Sequence, residues 1–512
     1  MGKAINQLAS KKYRSAILWY NFLLYLIFLS HFPWGLGLTL FEFFHLIPYL
    51  RFARRLRPAT LFKATLALSL SILFWNRANI GFQILSILSI ATLNYFIFYE
   101  ITHQRLFSSD NPISIAISKF KDVFLNLYAV FSLPIRIPKR FENNSNIAKI
   151  IVGLIISFPI LIILISLFAS ADETFEIWAG GLIDFVNRLF RLEFINFESL
   201  FEMMFTGVLF VPYIFAVIPV KKIKSVKVER IYVIELLTLS IAVAATFGLF
   251  ILSQLNNVQE ILAGFRTGSL NPGEFVREGF YQMSFANMIA FFVIYLLDLD
   301  LRKNLTDKSR KFAKSLAIIL LLEIVAVTAL AFQRVWAYQF AYGYTEIRIW
   351  GIILVAWLFG VVIIYSLKLY NFINKNKAIQ SLIFFSTGLI LVTGLINIDK
   401  IITSDNLPTV NNKIDYGYIG RLSYDAAPQW EKLIDGMESE KKVELIKPIL
   451  NQSGVYTYKD PEGETVISEA GSKDRICNSN ISIFAYNTAY ERGKEIICRN
   501  YDTWKDYLYK YF

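Results

Sequence analysis

Two charged residues interrupt an apolar stretch in the second half of the chain. Glu323 lies within the run 316–332, and Arg334 follows Glu323 by eleven residues. On a helix this spacing puts both residues on one face, about 16 Å apart along the axis. A carboxylate at the centre of a bilayer is unfavourable unless it is protonated or paired. Two interpretations follow. Glu323 and Arg334 both line one polar cavity, or Glu323 is a protonated residue that is hydrogen-bonded to a neighbouring Ser or Thr.

The segment that begins at Arg334 concentrates aromatic and charged residues. It carries Arg334, Trp336, Tyr338, Tyr342, Tyr344, Glu346 and Arg348. One interpretation is a site for an anionic or polar headgroup, with the two arginines as ligands and the tyrosines as walls. Asp172, Arg277 and Glu278 would open on the same side. The other interpretation is an aromatic belt in which an Arg–Glu clamp ties two spans together.

Signals for enzymatic chemistry are absent from the sequence. The three histidines, His31, His45 and His103, and the two cysteines are too few for a catalytic triad or a zinc site. No GxGxxG, Walker A or HExxH pattern occurs. We therefore expect no metal and no cofactor. Membrane enzymes that use a lipid-linked donor tend to place an acid in a long first outer loop, which here is only residues 31–34.

Composition places the chain in a membrane. Of its 512 residues 55% are hydrophobic and 16% are aromatic, and the mean hydropathy is +0.46. These values are too apolar for soluble domains. Uncharged stretches such as 151–168 and 352–367 must satisfy their backbone as helix. The net charge of +12 falls in short clusters between these stretches, which argues for loops facing anionic lipid and against nucleic acid.

The apolar stretches predict an all-α polytopic membrane protein with about eleven spans. The spans lie near residues 16–30, 35–50, 60–76, 79–99, 149–169, 203–220, 231–253, 281–299, 315–333, 347–367 and 379–396. Basic clusters follow every second span, at 51–57, 119–140, 221–230, 302–314 and 368–377. Because basic loops face the cytoplasm, we expect a cytoplasmic N-terminus and an exoplasmic C-terminus. The first span is expected to stay uncleaved, since no small-residue cleavage site follows it.

The spans divide the chain into four parts. These are an N-terminal four-helix membrane segment (1–100), a cytoplasmic loop (101–148), a seven-helix membrane core (149–397) and an exoplasmic C-terminal domain (398–512). Helical spacing after Asn111 predicts an amphipathic helix at 113–131, either on the cytoplasmic membrane surface or packed on the protein. Residues 175–191 resemble an exoplasmic counterpart.

The tail after the last span has a different composition. Residues 399–512 contain 15 basic and 18 acidic side chains, so the membrane portion carries all of the positive excess. Helical patterns at 429–446 and 487–509 predict a small, mostly helical domain. Cys477 and Cys498 both lie in this tail beside polar residues. Two thiols in one exported domain usually pair, so we expect a disulfide between them.

Three further acids lie within or beside predicted spans. Glu42, Glu202 and Glu235 stand near span ends or on short spans. A side chain in such a position can reach the interface by extending along the helix. For these three acids we therefore favour a structural interpretation, in which the side chain reaches the interface, over a functional one.

Four patches of sequence resemble known bacterial membrane proteins. They are Ser170-Ala171-Asp172 with Phe175, then 275–282, then 334–348, and finally the start of the tail, with Asn397-Ile398-Asp399, Asp405-Asn406-Leu407, Asp415-Tyr416 and 422–428. In their order and spacing they resemble the domain-of-unknown-function families 4153 and 4173, over residues 150 to 430. The resemblance implies a bacterial inner-membrane protein and supplies no reaction. Glu173-Thr174, the exit from span seven and the tail after Pro428 depart from the family pattern.

Three functions remain open at this point. The first is a membrane scaffold or signalling component whose tail meets an envelope protein partner. The second is a transporter or lipid-handling protein with Glu323 and Arg334 lining a cavity. The third, a membrane-embedded envelope enzyme, would need acids that converge on an outer cleft.

Overall fold

The structure is a computed structural model that describes most, but not all, of the chain. The described residues are 11–30, 34–52, 58–103, 146–172, 174–181, 233–267, 272–300, 307–404, 406–410, 413–459, 465–467, 473–478 and 482–511. By their contacts they fall into two units. Unit 1 comprises Met1–Ser108, Tyr338–Ile364 and Ile373–Phe512, and unit 2 comprises Ser109–Ala337 and Tyr365–Phe372.

Helices form nearly all of the membrane portion that the structure describes. They are α1 (Lys11–Phe28), α2 (Leu36–Phe52), α3 (Pro58–Asn76), α4 (Ile80–His103), α5 (Asn146–Ala171), α6 (174–181), α7 (Val233–Thr267), α8 (Pro272–Asp300), α9 (Asp307–Tyr342), α10 (Glu346–Leu369) and α11 (Lys375–Ile396). Six of the described helices, α3, α4, α7, α9, α10 and α11, are long and apolar enough to cross a membrane. Shorter apolar helices lie within α1, α2, α5 and α8. The chain is therefore a multi-pass, all-α membrane protein.

In unit 1, α1 to α4 form successive hairpins, and α11 packs against α3 and α4. The core between these helices is aliphatic and aromatic, with Leu66, Leu70, Phe74 and Leu93 buried. Close approach of α11 requires Gly394, because an added Cβ there would lie 2.4 Å from the Phe82 ring. Close van der Waals packing between helices stabilises such hairpins within a membrane.

The tail is small and contains both helices and short strands. It contains α12 (Ile398–Ser404), β1 (Thr409–Val410), β2 (Lys413–Ile414), α13 (Tyr416–Ile419), a 3₁₀ turn at Tyr424–Ala426, α14 (Ala427–Asp435), α15 (Ser439–Gln452), β3 (Thr457–Lys459), β4 (Thr465–Ile467), α16 (Lys473–Cys477), a 3₁₀ turn at Ile483–Ala485 and α17 (Thr488–Tyr511). Both strand pairs are antiparallel, with Thr409 opposite Ile414 and Tyr458 opposite Val466.

The tail has its own core around Trp430. This side chain is fully buried and its indole donates to the Ile419 carbonyl over 3.1 Å. Helices α14, α15 and α17 surround it, and Tyr344 and Trp350 from the membrane portion of unit 1 pack against the same core. A disulfide joins Cys477 on α16 to Cys498 on α17.

Unit 2 is built on α5, α7 and α8, which contact one another. Phe168 on α5 stacks on Phe250 of α7, with ring centroids 4.1 Å apart. Gly153 permits this packing, because a Cβ there would lie 2.8 Å from the Thr238 side chain. Helix α9 joins α8 through a buried hydrogen bond from Asn287 to Thr328, 3.1 Å long.

The helices coincide with most of the predicted spans. Each predicted span other than 203–220 overlaps one of the helices α1 to α11. Span 203–220 and the amphipathic helix at 113–131 lie outside the described residues. Of the predicted interfacial segment 175–191, residues 175–181 are helical and the remainder lies outside the described residues. The two short strand pairs of the tail were not predicted.

Candidate functional site

Asn79 connects three separate parts of unit 1. It precedes α4, and its Oδ1 accepts from the Phe82 backbone N–H over 3.0 Å, so it is the N-cap of that helix. Its Nδ2 donates to Glu346 Oε1 at 2.9 Å and to Asp399 Oδ1 at 3.1 Å. The residue is only 5% exposed. One buried amide thus joins α4 to the start of α10 and to α12.

Asp399 and Asp425 complete this network. The second Asp399 oxygen accepts from both the backbone N–H, at 3.2 Å, and the hydroxyl of Ser423. Asp425 Oδ2 accepts from the backbone N–H groups of Ala78 and Asn79, at 2.7 and 3.0 Å. Arg77 lies 3.9 Å from the other Asp425 oxygen. The carboxylates therefore satisfy donors that the turn between α3 and α4 would otherwise leave unpaired.

Burial sets the protonation of these two aspartates. It raises the pKa of Asp399 to about 7, and the negative charges of Glu346 and Asp425 add to the rise, while hydrogen bonds from Ser423 and Asn79 oppose it. Burial also raises the pKa of Asp425, against hydrogen bonds from Ala78 and Asn79 and the charge of Arg77. Burial therefore makes both aspartates harder to ionise than exposed carboxyl groups.

A cavity of about 680 Å³ opens beside the network. Its lining includes Asn79, Glu346, Ser423, Tyr424 and Tyr490. The Tyr424 and Tyr490 rings meet edge to face, with centroids 4.9 Å apart. This cavity combines aromatic walls with a few convergent polar groups, as binding sites commonly do.

A second cavity of about 640 Å³ adjoins the first in the tail. Arg421 and Gln452 line both cavities. The second is also lined by Glu444 and Asn451, and Asn451 Oδ1 is buried without a hydrogen-bond partner among the described residues. Such an acceptor is suited to a donor supplied by a ligand. Together the two cavities form the tail groove, defined by the residues lining them.

Within unit 1 the predicted headgroup residues have structural partners. Arg348 donates to the backbone carbonyls of Tyr342 and Gly343, at 3.2 and 2.6 Å, and lies over the Tyr338 ring at 4.0 Å. Tyr344 packs against the tail core. Gly343 has φ +74° and a Cβ there would lie 2.1 Å from the Leu407 carbonyl, so the turn requires glycine. Arg348 thus provides hydrogen-bond donors for the carbonyl groups at the C-terminal end of α9. Glu346 instead belongs to the Asn79 network.

Within unit 2, Arg334 is surrounded by polar groups from other helices. It is 4% exposed and donates to the Ala171 carbonyl at 2.7 Å and to Gln254 Oε1 at 2.8 Å. Its Nη2 lies 3.7 Å from Asp172, which in turn accepts from the Phe175 backbone N–H at 2.9 Å. The arrangement ties α9 to α7 and to the junction between α5 and α6.

The other predicted site residues of unit 2 are less enclosed. Glu323 is partly buried, and its Oε2 has no hydrogen-bond partner among the described residues. Its Oε1 lies 3.7 Å from the place of a Cβ at Gly248. Arg277 and Glu278 lie on α8, but their side chains are outside the described set. No group of three His, Cys, Asp or Glu side chains that could hold a metal occurs in the part of the chain that the structure describes.

Some residues of the site were not singled out from the sequence. Asn79 was missed, although an Asn just before the apolar run of α4 is a typical N-cap signal.

Glu42 and Glu235, expected at the interface, are instead buried, at 0% and 9% exposed. The expectation was wrong for both because neighbouring helices cover these positions. Glu202 lies outside the described residues.

Fold and site define an all-α, multi-pass membrane protein with two buried polar clusters. The family model described as Domain of unknown function (DUF4153) matches residues 62–433, more than half of the chain. The chain belongs to this family, and the resemblance inferred from its sequence patches is confirmed. No curated protein and no solved structure matches the chain. The matched residues include Asn79, Glu346, Asp399 and Asp425, so the whole Asn79 network lies within the family region.

Proposed function

We propose that this protein is a membrane scaffold or signalling component that acts through its C-terminal tail. The observation that carries the proposal is the attachment of the tail to the helix ends of unit 1. Asp399 and Asp425 bind Asn79, and Asn487 Nδ2 donates to the Phe74 and Arg77 carbonyls at 3.2 and 2.9 Å. Because buried hydrogen bonds hold the tail on the helix ends, binding of a partner to the tail can shift the positions of the helices. A flexibly tethered tail would not transmit such a movement.

The same attachments support the proposed orientation in a bacterial inner membrane. The tail contacts the turns that precede α2, α4 and α10, through Gly35 N to Phe484 O at 3.1 Å, the Asn79 network, and Tyr344 N to Asn406 O at 2.8 Å. Charge alternation assigns all three turns to the exoplasmic side. We therefore place the tail, residues 398–512, outside the cell, the N-terminus in the cytoplasm, and eleven spans between them.

Reporter fusions test this orientation. A periplasm-active reporter fused after Phe512, and a cytoplasm-active one fused at the N-terminus, are expected to give signals. The reverse assignment of either end would remove one span and defeat the proposed topology.

The tail groove is the surface on which we expect an envelope partner to bind. A photoreactive amino acid at Arg421 tests this directly, because Arg421 is exposed and lines both cavities. Glu438 is the matched control, since it is also exposed in the tail and lines neither cavity. Irradiation of native membranes should give an adduct of defined mass from position 421 and none from 438. Equal labelling at both positions, or none at 421, would contradict the proposal.

One observation favours a transporter or lipid-handling protein as the second candidate. Glu323 lies on a membrane-spanning helix and has an oxygen with no hydrogen-bond partner among the described residues, which is typical of a polar pathway. Arg334 does not strengthen this candidate, because its guanidinium is already bound to Ala171, Gln254 and Asp172. No arrangement among the described side chains favours the envelope enzyme.

A further inference from the structure

Glu42 is a buried acid outside the Asn79 network. It lies on α2, one turn from Leu38 and one turn from Leu46, and both leucines are buried in apolar clusters. Its side chain has no exposed surface. The position is therefore enclosed by the protein and shielded from water and from lipid headgroups.

Glu42 has a single hydrogen-bond partner among the described residues. Asn94 of α4 donates to Glu42 Oε2 at 2.8 Å. Glu42 Oε1 and Asn94 Oδ1 are both buried, and neither has a hydrogen-bond partner in the part of the chain that the structure describes. An ionised carboxylate needs several donors or a cation to be stable at such a site. One amide donor leaves most of that requirement unmet.

Among the side chains that the structure describes on the neighbouring helices, no cation supplies the missing charge. The titratable side chains described on α2 and on the helices packed against it are His45 on α2, Tyr20 and Tyr25 on α1, Lys63 on α3 and Tyr95 on α4. His45 Nδ1 is paired with Asn21 Oδ1 at 2.9 Å. The bond from Thr39 Oγ1 to the Ser71 carbonyl, and the packing of Leu46 on Ala64, put Lys63 more than a turn beyond the level of Glu42.

We propose that Glu42 and Asn94 form an intramembrane proton-binding site, in which Glu42 carries a proton at neutral pH and releases it reversibly. The proton removes the negative charge that a single amide donor cannot stabilise, and Asn94 holds the carboxyl group in place through its hydrogen bond to Oε2. The same helix begins beside the tail, where Leu36 N donates to the Tyr486 carbonyl at 2.8 Å. Glu42 lies six residues further along, about 9 Å down the axis.

Infrared spectroscopy of the purified protein tests the site without any assay of function. The protonated carboxyl C=O stretch is recorded for the wild type and for Glu42→Gln at about pH 7, where an ordinary carboxyl is ionised. A band present in the wild type and lost in the variant is expected. Because contributions from Glu323 and Glu235 are common to both proteins, they cancel in the difference. Absence of a difference band would show that Glu42 is ionised and would overturn the proposal.

A pH titration of the same band distinguishes a carboxyl group that releases its proton reversibly from one that stays protonated at every pH. The band should disappear as the pH is raised and return when it is lowered, with the protein still folded by gel filtration. A band that never bleaches would identify a permanently protonated packing residue and contradict the inference. Loss of the band on adding sodium chloride at constant pH would assign the site to a cation instead. An Asn94→Leu variant should shift the titration, since it removes the partner but not the carboxyl.

Discussion

The amide of Asn79 donates to the carboxyl group of Asp399 over 3.1 Å, although the two residues are 320 positions apart in the chain. The same amide binds Glu346, and its oxygen caps α4. The contact therefore joins the N-terminal hairpins, the start of α10 and the tail through one side chain. Removing it affects three elements at once, unlike the loss of an ordinary helix cap.

We expect Asn79→Ala to destabilise the protein by about 2–4 kcal/mol, because it removes a cap and takes one hydrogen-bond donor from each of Asp399 and Glu346. The matched control is Asn374→Ala. Asn374 caps α11 through Lys377 N at 2.9 Å in an exposed position, so its loss should cost only about 1 kcal/mol. Thermal unfolding of the purified proteins measures both. Equal losses in the two variants would show that Asn79 acts as a cap alone.

Asp399 should make stability depend on pH. Its folded pKa is raised to about 7, whereas an unfolded Asp titrates near 4. The folded state therefore binds more protons between these values, so the contribution is full below about pH 4 and is lost as the pH rises to about 7. Asp425, whose pKa is also raised, acts in the same direction.

The measurement is the unfolding midpoint between about pH 4 and pH 8 for the wild type and for Asp399→Asn. The wild type should lose stability as the pH rises through this window, and the variant should lose less. The slope is the readout, because the absolute stability of the variant also changes through its altered hydrogen bonds to Ser423 and Asn79. Parallel slopes would contradict the assignment to Asp399.

The spans were predictable because each depends on a local property, an apolar run long enough to cross a bilayer. Asn79 and Asp399 were not recognised as partners, because helical periodicity reports which residues share a face and is silent about distant segments. Glu42 was misjudged for a related reason. Its short span suggested a position near the interface, but burial depends on the packing of α1, α3 and α4 around α2.

The sequence identified the residues of the Arg334 cluster but not their role. Asp172 and Arg334 were both named as site residues, and the structure pairs them at 3.7 Å. Which interpretation applied could not be decided, because a ligand site and a structural tie use the same residue types. The strands β3 and β4 were missed because three residues are too few for an alternating pattern to be distinguished from a loop.

Arg334→Gln should destabilise the protein by about 3–5 kcal/mol, because it removes one partner of a buried ion pair and leaves Asp172 without its cation. The double variant with Asp172→Asn should recover part of this loss. Asn still accepts from Phe175 N as a cap, but it carries no charge. A double-mutant cycle on thermal stability gives the coupling. Additive losses would mean that the two residues do not interact.

Gly279→Ala should destabilise the protein by about 1–3 kcal/mol through overpacking. A Cβ at this position would lie 1.8 Å from Arg334 Nη1 and 3.2 Å from the Ala171 carbonyl that Arg334 binds, so neither can give way. The matched control is Gly388→Ala on α11, where a Cβ meets nothing within 4 Å. That substitution should be neutral or slightly stabilising, since Ala favours helix. If both variants lose stability equally, the close packing at Gly279 is not the cause.

The last prediction concerns Cys477 and Cys498, which link α16 to α17 across a sequence separation of 21 residues. In the exoplasmic location proposed for the tail the bond is expected to persist, and a loop of this size contributes about 3 kcal/mol through the lost entropy of the unfolded chain. Protein denatured without reductant should therefore not react with a thiol label, and both cysteines should react after reduction. Cys477→Ser should lower the unfolding midpoint, and Cys477→Ser/Cys498→Ser should lower it no further. Two reactive thiols in unreduced protein from native membranes would contradict the disulfide and, with it, the exoplasmic placement of the tail.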